Sequence, residues 1–225
     1  MSTVGRDMMD ECEMLLVDYA RGALNEAQHV LVASYLEMSE QGRARAVLWE
    51  RLGGALMERC CEPVAMTENS LQAVMDRLDG CEQSEQCAPY SPRHKINIPM
   101  PQPLCMEISV RCGAGAVWRA VWPGVRVLRI PAGAENCAMH IIRMRPGARL
   151  PRHRHAGREI TLVLDGFFAD VSGTHKRGDI LIMDAGTVHA PRAGDGAGCA
   201  CLIVSEAPRT ALPLHRLLAR LMGRI

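Results

Sequence analysis

The feature that most constrains the fold of this chain is a set of metal-ligand side chains held between regularly spaced glycines. His153 and His155 are two residues apart, so on a β-strand both side chains lie on the same face. Glu159 follows four residues later, an even spacing that keeps the same face, and His189 comes from a separate segment. Burying three imidazoles and a carboxylate would be costly without a cation. The pattern therefore predicts one divalent metal bound by these four side chains inside a β-barrel.

Ligand type alone does not identify this metal. Three imidazoles and one carboxylate suit Zn²⁺, Fe²⁺, Mn²⁺ or Ni²⁺. We expect zinc and keep the other three ions as alternatives. Among the histidines outside the pattern, His140 is expected in the core or at the surface, with lining of the cavity from a neighbouring strand as the alternative. His175, in a turn-rich stretch, is expected to be solvated.

The second half of the chain has the pattern of an all-β domain. Strands are predicted at 118–130, 138–144, 159–164, 180–183 and 199–204. Turn signals separate or end them, at Pro123-Gly124, Pro146-Gly147, Asp165-Gly166, Ser172-Gly173, Gly178-Asp179 and Ala185-Gly186. Many short strands with regular turns indicate a sandwich or a barrel.

The first 80 residues show helical spacing instead. Helices are predicted at about 13–20, 25–38 and 40–57, the second opened by Asn25 and the third by Ser39. A fourth helix carries apolar residues at i, i+3, i+4 and i+7, with Thr67 or Ser70 as its cap; these are Leu71, Val74, Met75 and Leu78. Four short helices form only a small core, so part of their apolar surface is expected to be left for a partner.

These patterns divide the chain into two domains of the α+β class. We predict a helical domain at 1–80, a proline-rich linker at 81–103 and a β-domain at 104–225, with a short helix at 212–221. The start of the sequence is acidic where a signal peptide needs an apolar core, and no stretch is long enough to span a membrane. A cytoplasmic protein without membrane contact is expected.

Charge and cysteine content exclude some functions. The formal net charge is +1, and no basic run or aromatic platform is present, so direct binding to nucleic acid is not expected. Ten cysteines occur without a CxxC pair, and in the cytosol they are expected to be reduced thiols. Oxidant sensing by Cys12, Cys60 or Cys61 is the less favoured alternative to a structural role.

The glycines around the ligands resemble the two cupin motifs. Residues 147–166 match the first motif, G(x5)HxH(x3)E(x6)G, at every fixed position. The second motif, G(x5)PxG(x2)H(x3)N, begins at Gly178 and departs at Asp184 and Ala193, neither of which is a metal ligand. The resemblance covers about residues 105–206 and implies the double-stranded β-helix barrel of cupins.

A helical domain joined to a cupin resembles the ChrR family of anti-sigma factors. The similarity is carried by residues 18–26 (DYARGALNE), 32–36 (VASYL), 42–46 (GRARA), 53–58 (GGALME), 67–75 (TENSLQAVM) and 224–225 (RI). The resemblance implies that the helical domain holds an extracytoplasmic-function (ECF) sigma factor away from RNA polymerase. It also implies that the cupin domain responds to singlet oxygen and related oxidants, with no enzymatic activity.

One departure from that family concerns its N-terminal zinc site. The family's HxxxCxxC motif falls on Tyr35, Ser39 and Gly42, and its earlier histidine falls near Asp10. These residues cannot hold zinc as a set, so a zinc-free helical domain is expected, with Tyr35 filling the vacated volume and Ser39 capping the next helix. Two alternatives stay open: the helical domain has lost sigma binding, or it folds only with its partner.

Two other functions are compatible with the ligand set. A cupin dioxygenase or isomerase with an accessory helical domain would use open coordination positions of the metal for substrate or O₂. Against it, no further acid–base group accompanies the ligands. A third alternative is a scaffold whose metal only stabilises the barrel.

The sequence leaves the oligomeric state undecided. By analogy with other cupins, which often pair through their sheets, a homodimer is one alternative.

Overall fold

A computed structural model describes residues 3–79, 98–133 and 137–206, and within them five helices precede an antiparallel β-domain. The helices are α1 (Thr3–Ala20), α2 (Glu26–Met38), α3 (Glu40–Cys60), α4 (Ser70–Asp79) and α5 (Gln102–Cys112). The expected α+β class and the four helices of the first 80 residues are confirmed.

Side chains at the predicted caps fix where α2 and α3 begin. The Asn25 side chain accepts a hydrogen bond from the Gln28 backbone N–H at 3.0 Å, and the Gln28 side chain accepts one from the Asn25 N–H at 3.2 Å. Ser39 Oγ accepts from the Gly42 N–H at 3.0 Å. Both caps are therefore confirmed, and Ser39 joins α2 to α3 without a loop.

Within the described residues, the β-domain contains ten strands, all paired antiparallel. They are β1 (Trp118–Trp122), β2 (Val125–Ile130), β3 (Cys137–Met144), β4 (His153–Arg154), β5 (Glu159–Asp170), β6 (Gly173–Lys176), β7 (Ile180–Met183), β8 (Val188–His189), β9 (Arg192–Ala193) and β10 (Cys199–Glu206). The main sheet runs β1-β2-β3-β10-β5-β6, with β7 and β9 also pairing with β5, while β4 and β8 form a separate pair.

Alternating residues along the strands build two cores. One set fills the inside of the β-domain: Val125, Val127, Ile142, Met144, Val163, Leu181, Cys201 and Ile203. The intervening residues face the helices, and Leu128, Ile141, Leu162 and Leu202 join one apolar cluster with Leu31, Leu104 and Ile108. The helices therefore cover one outer face of the sheet.

The helix α5 was not predicted, because prolines mask its pattern. Pro101 is its N-cap residue and Pro103 lies in its first turn, where no backbone donor is needed. Leu104 and Ile108 are fully buried between α2 and the sheet. The helix thus lies across the predicted boundary between linker and β-domain; residues 81–97 of that linker and the predicted helix at 212–221 lie outside the described residues.

The predicted turn at Asp165-Gly166 is wrong. Strand β5 continues through it to Asp170, with a register shift against β10 at this point. Gly166 has φ 64°, and a Cβ there would lie 2.1 Å from the carbonyl oxygen of Gly198, so only glycine fits.

Along the described part of the chain, no helix has the length and apolar character needed to cross a membrane.

Candidate metal centre

Three of the four predicted ligands meet where β4 pairs with β8. The register places His153 opposite His189, and the His155 N–H continues the pairing by donating to the Thr187 carbonyl at 3.0 Å. The Nε2 atom of His189 lies 3.0 Å from Nε2 of His153 and 3.0 Å from Nε2 of His155. All three rings are buried. They form a group whose ligand atoms lie within 4.8 Å of one another, and such a group can hold a metal ion.

Hydrogen bonds on the far side of two rings fix their tautomers. His153 Nδ1 lies 2.9 Å from the Pro151 carbonyl oxygen, which can only accept, so the proton is on Nδ1. His189 Nδ1 likewise donates to Asp170 Oδ2 at 2.8 Å. Two unprotonated Nε2 atoms therefore face each other, an arrangement that a cation between them would stabilise. A tetrahedral zinc ion with Zn–N bonds of about 2.0–2.1 Å would separate two such nitrogens by roughly 3.3 Å, close to the geometry observed.

Burial favours the neutral form of His153. It lowers the pKa of His153, with repulsion from His189 and His155 adding to the effect and the bond to Pro151 opposing it. The neutral ring that a metal requires is thereby favoured. For Asp170, burial alone would raise the pKa, but the hydrogen bonds from His189 and Ser172 outweigh it and keep that pKa below its usual range.

Glu159 lies beside the three histidines but outside their cluster of ligand atoms. Its carboxylate is buried and lies 3.4 Å from Nδ1 of His155, on the side of the ring away from Nε2. Burial would raise the pKa of Glu159, yet the hydrogen bond and charge of His155 lower it overall. Glu159 lines the same small cavity as His153 and His189. Its role as the fourth ligand therefore stays a prediction.

The cavity inside the β-domain is small. Its volume is about 30 Å³, with walls that include Ile142, Leu150, Phe168 and Ile203. A water molecule needs about 10–15 Å³ on this measure, whereas pockets for drug-sized ligands are about 300–1,000 Å³. The interior formed by the described residues has room for an ion and a water or two.

Two other histidines are buried in the same domain. His140 faces the interior of the β-domain from β3, and its Nε2 has no hydrogen-bond partner among the residues that the structure describes. Burial lowers the pKa of His140. The expectation that His175 is solvated is wrong. It is buried against Phe168, with ring centroids 5.0 Å apart, because β6 folds back on β5. Asp170 was not singled out from the sequence, where only its position before a turn could have pointed to it.

Comparison with known proteins agrees with this architecture. Residues 108–208 match the family model described as the ChrR cupin-like domain. The anti-sigma-E factor ChrR of Cereibacter sphaeroides is 37% identical over 196 residues, which are 87% of this chain and 88% of that protein. The chain belongs to the ChrR family of anti-sigma factors. The resemblance stated from the sequence is thereby confirmed.

A solved ChrR structure extends the comparison to three dimensions. The crystal structure of Rhodobacter sphaeroides SigE in complex with the anti-sigma ChrR matches with a TM-score of 0.68 and 34% identity. The match covers 86% of this chain and 96% of that chain, so it includes both the helices and the cupin domain. Membership of this family supports a regulatory role and not the enzymatic alternative.

Proposed function

We propose that this protein is an anti-sigma factor that holds an ECF sigma factor through its helical half, residues 1–80. The cupin half, residues 104–225, would carry the metal centre and respond to oxidants of the singlet-oxygen type. The related ChrR forms a crystallised complex with SigE, which supports a sigma factor as the partner. A sigma factor acts on RNA polymerase, so the proposal also places the protein in the cytoplasm.

An uncovered apolar surface on the last two helices of the helical half carries this proposal. It comprises Val47, Leu48, Leu52, Leu56 and Met57 of α3, Val64 and Met66 of the following segment, and Leu71, Val74, Met75 and Leu78 of α4. We call this the α3–α4 surface. Leu71 is 72% exposed and Leu78 is 61% exposed, although their spacing is that of a buried helix face. Exposed apolar side chains at helical spacing are typical of a helix-binding interface.

The charge of the helical half fits the same partner. Residues 1–79 contain fourteen Asp and Glu against seven Arg and no Lys. Proteins that bind promoter DNA need basic surfaces, because phosphate contacts dominate their affinity. An acidic module is complementary to such a surface and speeds association with it.

Co-expression with a SigE-type sigma factor tests the proposal. The two chains should elute together in size-exclusion chromatography, and the pair Leu71→Glu and Leu78→Glu should abolish the complex. Both residues are exposed, so the variant should fold. Val110→Glu, which places one glutamate at a 70% exposed residue of α5, is the control and should still bind. Binding by the double variant would contradict the proposal.

For the metal centre, we propose one divalent ion held by His153, His155, His189 and Glu159, with zinc preferred over iron, manganese or nickel. The convergence of three Nε2 atoms supports the three histidine ligands. The presence of Glu159 on the same cavity supports the fourth. Neutral imidazoles and one carboxylate are borderline ligands that suit zinc.

The helical half is proposed to fold without zinc. Tyr35 and Ser39 stand at positions of the family's zinc motif, and both make protein contacts instead: the Tyr35 ring packs on Gly42, and Ser39 caps α3. Glu13 of α1 further accepts hydrogen bonds from Arg45 and Trp49 of α3. These contacts connect the helices that a zinc ion would otherwise tie together.

A further inference from the structure

Asp170 links the three-histidine centre to a hairpin that faces the helical half. Its Oδ2 accepts from His189 Nδ1 at 2.8 Å, while its Oδ1 accepts from the Ser172 N–H at 2.8 Å and from Ser172 Oγ–H at 2.6 Å. The Asp170 side chain is only 2% exposed. One buried carboxylate thus holds both a ring of the metal centre and the turn between β5 and β6.

His175 completes this network on the other strand of the hairpin. Its Nε2 lies 3.0 Å from Ser172 Oγ and 3.4 Å from Asp170 Oδ1. Its ring also contacts Phe168, which lines the cavity beside the histidines. Movement of His189 would therefore be transmitted to His175 through the hydrogen bonds of Asp170 and Ser172.

The other side of this hairpin opens on the helices. A cleft of about 490 Å³ is lined by His175, Ser172 and neighbouring residues of the hairpin, and also by Cys12 of α1 and Tyr35 of α2. In addition, α1 packs against β7, which follows this hairpin. His175 thus belongs to the hydrogen-bond network that reaches the metal centre, and it also lines the cleft that α1 and α2 border.

We propose that Asp170 positions His189 for metal binding, and that the Asp170–Ser172–His175 network transmits occupancy of the metal centre to α1 and α2. The inference rests on the proposed function, since it supplies the connection between the cupin site and the sigma-binding half. Asp170 holds His189 in the tautomer with a free Nε2, as carboxylates behind metal-bound histidines do. With a metal in place, His189 is fixed, and Asp170 then fixes the hairpin that lines a cleft together with α1 and α2. Such a link acts by favouring one arrangement of the helices over another.

The first test concerns positioning. Competition with a chelator should show that Asp170→Ala binds Zn²⁺ about 10–100-fold more weakly than the unaltered chain. Asp170→Asn, whose amide oxygen can still accept from Nδ1, should recover part of that loss. The ¹⁵N shifts of the His189 ring should show a proton on Nδ1 in the unaltered chain and a mixture of tautomers in Asp170→Ala. Asp179→Asn is the matched control, because Asp179 accepts from the Lys176 N–H in the same hairpin without reaching His189.

The second test concerns transmission and needs no sigma factor. Hydrogen exchange of the full chain is measured with and without Zn²⁺. Zinc should slow exchange in the β5–β6 hairpin and in the parts of α1 and α2 around Cys12 and Tyr35. In Asp170→Ala saturated with zinc, protection should remain near His153 but disappear from the helices, and Ser172→Ala should be intermediate. The inference would be overturned if zinc slowed exchange in the helices of Asp170→Ala as much as in the unaltered chain. It would also be overturned if zinc did not slow exchange in the helices of the unaltered chain. Failure of sigma binding with transmission intact would overturn only the proposed function.

Discussion

The ring of Tyr35 occupies the space above Gly42, so that a Cβ at position 42 would lie 2.6 Å from Tyr35 Cε1. Real Cβ atoms do not approach ring carbons this closely, and the ring is held between α2 and α3. The tyrosine in place of a family histidine and the glycine in place of a family cysteine are therefore matched to each other. This pair is the most direct structural support for a helical half that folds without zinc.

The contact predicts the effect of Gly42→Ala. Alanine in place of glycine inside a helix ordinarily stabilises by about 1 kcal/mol. Here the added methyl group would displace the ring, and overpacking of this kind costs about 1–3 kcal/mol. We expect a net loss in the free energy of unfolding, measured by urea denaturation of the full chain.

A matched control lies in the same helix. No atom of the described part of the chain would lie within 4 Å of a Cβ at Gly53 or Gly54, so alanine at either position should stabilise. Combining Gly42→Ala with Tyr35→Ala should remove the clash, giving a non-additive double-mutant cycle. A Gly42→Ala variant as stable as Gly53→Ala would show that the ring moves away at no cost.

Metal stoichiometry separates one metal site from two. Purified in the presence of zinc, the full chain should carry one zinc ion, and His153→Ala combined with His189→Ala should carry none. If the helical half had its own zinc site, the unaltered chain would instead carry two ions and the double variant one. Inductively coupled plasma mass spectrometry provides the counts. His29→Gln, which removes an exposed histidine outside the cluster, is the control and should keep one ion.

The role of Glu159 can be decided by Glu159→Gln. Glutamine keeps the shape and can still accept from His155 Nδ1, but it lacks the charge that offsets a divalent ion. If the carboxylate is a ligand, zinc affinity should fall by more than about 100-fold, beyond the 10–100-fold typical of groups that only orient a ligand. Glu107→Gln, which alters a carboxylate paired with Arg111, should leave the affinity unchanged. A small effect of Glu159→Gln would leave three histidines as the complete ligand set.

What the sequence could predict of this site depended on local spacing. His153 and His155 lie two residues apart, and glycine spacing places His189, so these three positions follow from patterns a few residues long. Asp170 and His175 are brought to the centre by the path of β5 beyond Gly166 and the return of β6, which local patterns do not specify. The turn predicted at Asp165-Gly166 ended the strand too early for Asp170 to be considered.

The same limit applies to the fold. The caps at Asn25 and Ser39 are local signals, and both helices begin where those residues predict. Helix α5 depends on burial of Leu104 and Ile108 between α2 and the sheet. That stabilisation comes from tertiary packing, which overrides the proline-rich composition around it.

The cysteines of this chain should differ in how their rate of alkylation depends on pH. Burial, together with the charge of Glu206, raises the pKa of the half-buried Cys137 to about 11. At pH 8 the reactive thiolate would then be about 0.1% of Cys137, against roughly a quarter for a thiol with a pKa near 8.5. Because the folded pKa is raised, alkylation of Cys137 by iodoacetamide should accelerate about tenfold per pH unit between pH 8 and 10.

Peptide mapping by mass spectrometry can follow each cysteine separately. Cys60 and Cys61 are exposed and provide the accessible reference. Glu206→Gln removes a negative charge that disfavours the thiolate, so it should increase the rate at Cys137 at pH 8 without altering the rate at Cys60. A Cys137 rate that levels off near pH 9 would mean that the thiol is not held in its protonated form. Cys137 would in that event be available to oxidants at neutral pH, since oxidation follows the thiolate fraction.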